Sequence, residues 1–526
     1  MGKRDNKNLR DCFINPNNKK DVLEFYNKII EVGIDFKLSK ERKSVVNYKD
    51  QKKIIKDFFK PIPKKGKPLE KVFKEFKNKI LNGSVNFSSP TFLAFPDCGN
   101  SVAAVAGHIL MGLMNQNLIN SVHTSPTATF VEIECINWLR GLVGYSLIKN
   151  PKTALDVGGI NVTGGTMANT VGLLLARENK FQGSIKSGLR KDPSRLKVFI
   201  PKGIGHYSIK AGLGWLGLGS KNIIEVKTTE YFTLNQKDLV DKINQEKRKG
   251  NIPLCIVAYT GDSRTMSIDD FPALSKIAKI NNMWFHIDAC HGLSLCFSKK
   301  LKQKVKGIEL ADSITIDPHK VLFTPYTLSY VLIKNPKKMG LIAGVSDLIT
   351  KENFSLGQIT PFVGSKAFNS LKLWFLIKHL GKENIGKLME MRHEMVKLFS
   401  KMVEAEEDFA LLNEPTINSS AYIYIPKELR KQLEKKELIK NTIISLNELN
   451  KNIQFRIFKE GKFYVHTFLL NDFKNVLGTG TNTQLQMQRL MLGNPLTTKE
   501  DLMNLIKYTK KVGNKEWKNL KNLKKK

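Results

Sequence analysis

The chain has 526 residues, 41% hydrophobic and 25% charged, a globular composition that excludes a disordered or fibrous protein and is too long for one simple core. With 85 Lys and Arg against 48 Asp and Glu, the net charge is +37, which would admit nucleic acid or an anionic membrane as a partner. Lysine is spread along nearly the whole chain beside abundant asparagine, so the reading is a solvated lysine-rich surface with nucleic acid not expected, and polyanion binding is the alternative.

The six cysteines (Cys12, Cys98, Cys135, Cys255, Cys290, Cys296) form no CxxC pair and no pattern with histidine, which predicts reduced thiols in a cytoplasmic setting and no metal site. The opening MGKRDNKNLRDCF lacks the apolar core of a signal peptide, and no apolar run is long enough to span a bilayer, so no membrane insertion is expected.

Residues 1–88 are basic, with helical apolar spacing in DVLEFYNKIIEVGIDF and VFKEFKNKIL, and predict an N-terminal helical segment that must pack on something else. From 89 to 375, short β-rich runs (KVFI, LCIVAY, MWFHID, SITI, LSYVLI) alternate with helical stretches (TMANTVGLLLAREN, DFPALSKIAKINN, SLKLWFLIKHL). That alternation predicts an α/β domain with a mostly parallel sheet and a ligand beyond the carboxyl ends of its strands. Residues 376–526 predict a smaller α+β domain: a long helix (IGKLMEMRHEMVKLFSKMVEAEE), strands AYIYIP, QFRIF and KFYVHTFLL, a closing helix, and a frayed basic tail KKVGNKEWKNLKNLKKK.

Four places can carry chemistry. Thr163, Gly164, Gly165 and Thr166 precede a helical pattern, which suits either an anion at a helix N-terminus or a tight structural turn. His206 stands alone in the glycine-rich GIGHYSIKAGLGWLGLG and is either functional or structural. Asp288 ends the apolar run MWFHID, where a buried carboxylate needs a cation or hydrogen bonds, and a helix cap is the alternative. Lys320 follows ADSITIDPH; desolvation and cationic neighbours there predict a lowered pKa and a nucleophilic amine, against the alternative of a surface lysine. In this order on an α/β domain, the four supply what pyridoxal 5′-phosphate (PLP) requires: a phosphate site, a stacking ring, a carboxylate for the pyridinium nitrogen and an amine.

The motifs FLAFPDCGNS, SPTATFVEIECINWL, VTGGTMANTVGLLLAREN, HYSIKAGLGWLGLG, VAYTGDSRTMSIDDF, HIDAC, ADSITIDPHK and SLKLWFLIKHLG, in that order, resemble the group II PLP-dependent amino-acid decarboxylases from about Pro90 to Gly381, with a weaker match through QRLMLGNPLTTKEDL. The resemblance implies a type I PLP fold (the aspartate aminotransferase-like architecture), a homodimer with the site at its interface, and α-decarboxylation of an L-amino acid to an amine. It implies Lys320 as the Schiff-base lysine, Asp317 and His319 beside it, Asp288 on the pyridinium with Ala289 next to it, and His206 stacked on the ring. It further implies Thr163, Gly164, Gly165 and Thr166 as the phosphate cup and Ser263 as a ring contact; Ser125, Pro126, Thr127 and Phe354 face the substrate. Two departures bear on the chemistry. Gly364-Ser365-Lys366 stands where the family often has an Arg pair, and Gly261-Asp262-Ser263 followed by Arg264 where it often reads G-T-T, which leaves Arg264 or Lys366 as a substitute anchor. Asn335 to Gly364 contains Phe354 but no tyrosine, which admits an aldehyde-forming variant or a PLP lyase and leaves His206 or Tyr326 to supply a proton. A non-catalytic polyanion-binding homologue is the remaining alternative.

Overall fold

The computed structural model describes residues 9–38, 45–344, 353–436 and 439–524. Its centre is a seven-stranded sheet built from β1 (Gly159–Val162), β2 (Leu196–Pro201), β3 (Ile223–Val226), β4 (Ile252–Tyr259), β5 (Trp284–Asp288), β6 (Ser313–Ile316) and β7 (Ser329–Ile333), in the order β1-β7-β6-β5-β4-β2-β3. Only β7 opposes its neighbours β1 and β6. The other strands therefore present their carboxyl ends to one side. Strands β4 to β7 are buried almost throughout, as their continuous apolar runs demand of a sheet covered on both faces. Ile160, Phe199, Val257, Ile287, Ile314 and Val331 share one core with flanking helices that include α5 (Ala128–Val143) and α6 (Gly165–Lys180).

A second, antiparallel sheet of β8 (Phe409–Leu411), β9 (Ser419–Tyr424), β10 (His466–Asn471) and β11 (Gln484–Met491) runs in the order β10-β11-β9-β8. It has its own core, in which Phe399, Tyr422, Leu449, Leu490 and Leu505 meet. The helix Ser370–Glu404 links the two cores and breaks at Gly381, whose φ of 66° is not helical.

Two expectations are corrected here. QFRIF is not a strand but the end of the helix Ile439–Glu460. There Leu446, Leu449, Ile453 and Ile457 are buried at spacings of three and four, and that period outweighs the β-propensity of its Phe and Ile. Nor is the basic tail frayed: the helix Lys499–Lys524 buries Leu502, Leu505, Val512 and Leu520 against the second core, and Trp517 donates to Glu428 at 2.9 Å. An apolar stripe runs among those lysines and holds them on the molecule.

At the other end, α1 (Lys19–Leu38), α2 (Gln51–Phe58) and α3 (Leu69–Lys79) contain no buried residue. Their amphipathic pattern makes helices, but within one chain it is not covered.

Candidate active site

A cavity of about 270 Å³ opens where β1, β2, β4, β5 and β6 end, lined by Gly164, Gly165, Thr166, Asn169, His206, Tyr207, Tyr259, Gly261, Ser263, Asp288, Cys290, His291, Asp317, His319 and Lys320. The predicted groups in it arrive from the ends of different strands. Gly165 opens α6 after β1, and the backbone N–H groups of a first helical turn have no intrahelical acceptor. His206 caps the helix Tyr207–Trp215 after β2, with its backbone N–H donating to the Tyr259 hydroxyl at 2.9 Å. Asp288 is the last residue of β5, and Lys320 sits in the short helix Pro318–Val321 after β6.

Behind the cavity runs a chain of hydrogen bonds that the sequence reading missed. The Trp284 indole donates to Ser313 Oγ at 2.8 Å, and Ser313 meets His286 Nδ1 at 2.7 Å. His286 Nε2 meets Asn169 Oδ1 at 3.0 Å, and Asn169 Nδ2 donates to Asp288 Oδ2 and Ser208 Oγ, both at 2.8 Å. Ser208 Oγ in turn lies 2.7 Å from His206 Nδ1. Burial pulls His286 down to about 4, so its ring is neutral and the chain of donors runs one way, from Trp284 to Asp288. With Nδ1 engaged by Ser208, the neutral His206 carries its proton on Nε2; burial lowers its pKa too. One amide, Asn169, thus orients both the carboxylate and, through Ser208, the histidine. Its signal in the sequence was a polar residue inside the apolar stretch of α6.

Lys320 corrects another expectation. Burial works against its charge, but Asp317 Oδ2 at 2.8 Å, with Asp288 and Cys290 nearby, outweighs burial and holds the ammonium well above the usual lysine range. The lysine is therefore protonated in the free chain, not the lowered-pKa amine expected. Asp317 is fully buried, and burial would raise it, but Lys320 and His319 together hold it well below the usual carboxylate range; Ser329 also donates to it at 2.5 Å. His319 is fixed by Nδ1 to the Leu328 carbonyl at 2.7 Å.

Other predicted residues lie outside the cavity. Ala289 is fully buried behind it, its N–H on the Thr315 carbonyl at 2.8 Å. Thr163 is exposed, with Oγ1 3.8 Å from Met167 Sδ. Ser125 is buried and bonds Thr129 at 2.9 Å, whereas Pro126 and Thr127 are exposed. Phe354 packs on Phe130 with ring centroids 5.2 Å apart. Lys366 pairs with the buried Glu132 at 2.5 Å and Arg264 lies over Phe468 at 5.6 Å, so neither reaches the cavity. Part of the tyrosine-free segment, 345–352, lies outside the described residues. Cys290, His291 and Tyr259 are cavity residues that sequence reasoning missed. Sequence reasoning also missed Arg489, which is fully buried outside the lining, donates to the carbonyls of the lining residue Ser263 and of Ala94, and is pulled down to about 9 by burial.

A protonatable lysine and a buried carboxylate at neighbouring strand ends, above a helix N-terminus, define an α/β enzyme of the PLP-dependent kind. The comparisons make this specific: residues 52–424 match the pyridoxal-dependent decarboxylase conserved domain, and the chain belongs to that family. It is a PLP-dependent amino-acid carboxy-lyase. It is 29% identical to an aspartate 1-decarboxylase of Aliivibrio fischeri over 81% of this chain and 80% of that protein. It is also 29% identical to a phenylacetaldehyde synthase of Petunia hybrida over 66% and 69%. The crystal structure of mouse CSAD superposes with a TM-score of 0.83 at 22% identity, covering 94% of this chain and 99% of that one, which places both in the type I fold.

The cavity fits the cofactor. A Cβ at Gly165 would come within 2.6 Å of Asp317 Oδ2 and 2.9 Å of Cys290 Sγ, so only glycine leaves the helix N-terminus open to a phosphate. Asp288 is a carboxylate positioned by donors on both oxygens, from Asn169 and from the Cys290 N–H at 3.1 Å. Such a group suits a protonated ring nitrogen. Among the described residues no cluster suits a metal ion, and no helix is long and apolar enough to cross a membrane.

Proposed function

We propose that the chain removes the α-carboxylate of an L-amino acid to give an amine and carbon dioxide, with Lys320 supplying the amine that holds the cofactor. The single observation that carries this reading is the convergence of Gly165, His206, Asp288 and Lys320 on one cavity at the strand ends. When bound, PLP supplies the electron sink into which the bond to the departing carboxylate can empty. The protein does the rest. The α6 N-terminus with Thr166 would hold the phosphate, and Asp288 would hold a proton on the ring nitrogen. Asp317 holds the Lys320 ammonium in place until the cofactor enters, and His206 covers the cavity with Nε2–H available to it.

A homodimer is part of the proposal. The apolar residues Leu23, Ile30, Ile34 and Leu38 of α1 are between 40% and 57% exposed, and a second copy would cover them. The exposed Pro126 and Thr127 and the Phe130–Phe354 pair would then be placed to face a partner's cavity. The six free cysteines support a cytoplasmic setting.

The Lys320→Ala protein is expected to lose the visible absorbance of the bound cofactor and to release carbon dioxide about a thousandfold more slowly or worse. Carbon dioxide release at the wild-type rate would remove Lys320 from the mechanism. A second product is favoured by the tyrosine-free segment and by the likeness to the Petunia hybrida synthase: aldehyde with hydrogen peroxide instead of amine. Product analysis of one turnover separates the two.

A further inference from the structure

Asp97 lies in the segment Phe92–Ser101, which is stitched across the mouth of the fold. Leu93 pairs through its backbone with Tyr464 and Met491, at 2.8 Å each, and the Ser101 N–H reaches the Phe323 carbonyl at 3.2 Å, just past Lys320. A Cβ at Gly99 would sit 3.5 Å from Pro325, so the segment lies directly on the turn that follows the lysine. Within it, Asp97 is only 7% exposed, and its Oδ1 is buried without a hydrogen-bond partner.

The basic side chains around Asp97 are already engaged. Lys320 is 2.8 Å from Asp317, His319 Nδ1 is on the Leu328 carbonyl, and Arg489 spends its guanidinium on the carbonyls of Ala94 and Ser263. Burial raises the Asp97 pKa, and the fields of Lys320 and His319 with a hydrogen bond from the Tyr326 hydroxyl to the carboxylate only partly offset this, leaving Oδ1 without a partner. A buried carboxylate with an unused oxygen, within the field of Lys320, is costly unless a cation arrives with the ligand.

We propose that Asp97 determines specificity by receiving a side-chain ammonium, so that the preferred substrate is an L-amino acid with a second, cationic amine. The inference rests on the amino-acid decarboxylase reading and names the substrate class for that site. The two charged ends of such a substrate match two buried atoms without a partner: its side-chain ammonium meets Asp97 Oδ1, and its carboxylate meets the Nε side of the Arg489 guanidinium. A neutral side chain leaves Asp97 Oδ1 without a cation, and an acidic one is repelled by it.

The test uses the PLP-loaded protein and reads binding from the change in its visible spectrum, with carbon dioxide trapped separately. L-lysine, L-ornithine and L-2,4-diaminobutyrate are titrated beside their neutral counterparts L-norleucine, L-norvaline and L-2-aminobutyrate, and beside L-glutamate. At least one diamino acid is expected to bind about tenfold or more tighter than its counterpart, with glutamate weakest. In Asp97→Asn that ratio is expected to collapse to within about threefold, and in Asp97→Glu part of it to return. Equal binding of diamino acids and their counterparts by the wild type overturns the inference without needing any variant to fold. So does an Asp97→Asn protein that binds cofactor and keeps the ratio. Selective binding of a diamino acid without gas release supports Asp97 as the specificity determinant while retracting decarboxylation, so the two readings fail separately.

Discussion

At the scale of single residues, the site depends less on the groups that touch ligand than on Asn169, whose amide is shared between Asp288, His286 and Ser208. Replacing it with alanine leaves a buried carboxylate short of a donor and a neutral imidazole short of an acceptor, each costing about 1–3 kcal/mol. Asn169→Ala is therefore expected to lower carbon dioxide release by about 10- to 100-fold, the range found when a group that orients a catalytic ligand is lost. It should also change the pH dependence of the visible spectrum, because Asp288 is no longer held in place. A slower enzyme with an unchanged spectral titration would mean that Asn169 only supports the fold. Little of this network was legible in the sequence. Asp288 and Lys320 announce themselves as charges at the ends of apolar runs, whereas Asn169 and His286 become functional only when α6 packs across β5 and β6.

At the scale of elements, the polypeptide has most freedom where the site needs most precision. The turn between β1 and α6 brings Gly165 against Asp317 and Cys290. Gly165→Ala would overpack that contact at about 1–3 kcal/mol, equivalent to about 5- to 150-fold in cofactor affinity. Gly214, in the helix Tyr207–Trp215, has open space where a Cβ would go, so Gly214→Ala is the control expected to bind PLP normally. Fluorescence titration of both proteins with PLP checks this; equal affinities would mean the α6 N-terminus does not hold the phosphate. The element pattern was readable where period and burial agree, as in β4 to β7. It misled at QFRIF, where aromatic and β-branched residues sit on a helix whose buried face is set by Leu449, Ile453 and Ile457. It was silent on β1 and β3, four-residue strands too short to show a period against the glycines and lysines around them.

At the scale of the whole molecule, sequence and structure leave the same surface unaccounted for. The positive charge and the helical spacing of α1 to α3 are plain in the sequence, yet a single chain buries none of their residues, although Lys37 ties α1 to Ser88 and to the Gly99 carbonyl at 3.1 and 2.8 Å. On α1, Leu23, Ile30, Ile34 and Leu38 recur at three- and four-residue multiples, and α4 (Val102–Met114) exposes Ile109, Leu110, Leu113 and Met114. Apolar stripes of this length on a highly charged chain are what a self-complementary interface requires. Lysine elsewhere on the surface would keep unspecific contacts weak by repulsion. The chain is accordingly expected to sediment at twice its monomer mass, even in high salt, because the contact is apolar and not ionic. Carboxylates at two stripe positions, Ile30→Asp with Ile34→Asp, would have to be desolvated in the interface at a cost of several kcal/mol. The double variant is expected to sediment as a monomer at micromolar concentration and to lose carbon dioxide release with the partner's Phe130–Phe354 face. A double variant that remains dimeric would move the interface off α1, and a wild-type monomer would remove it altogether.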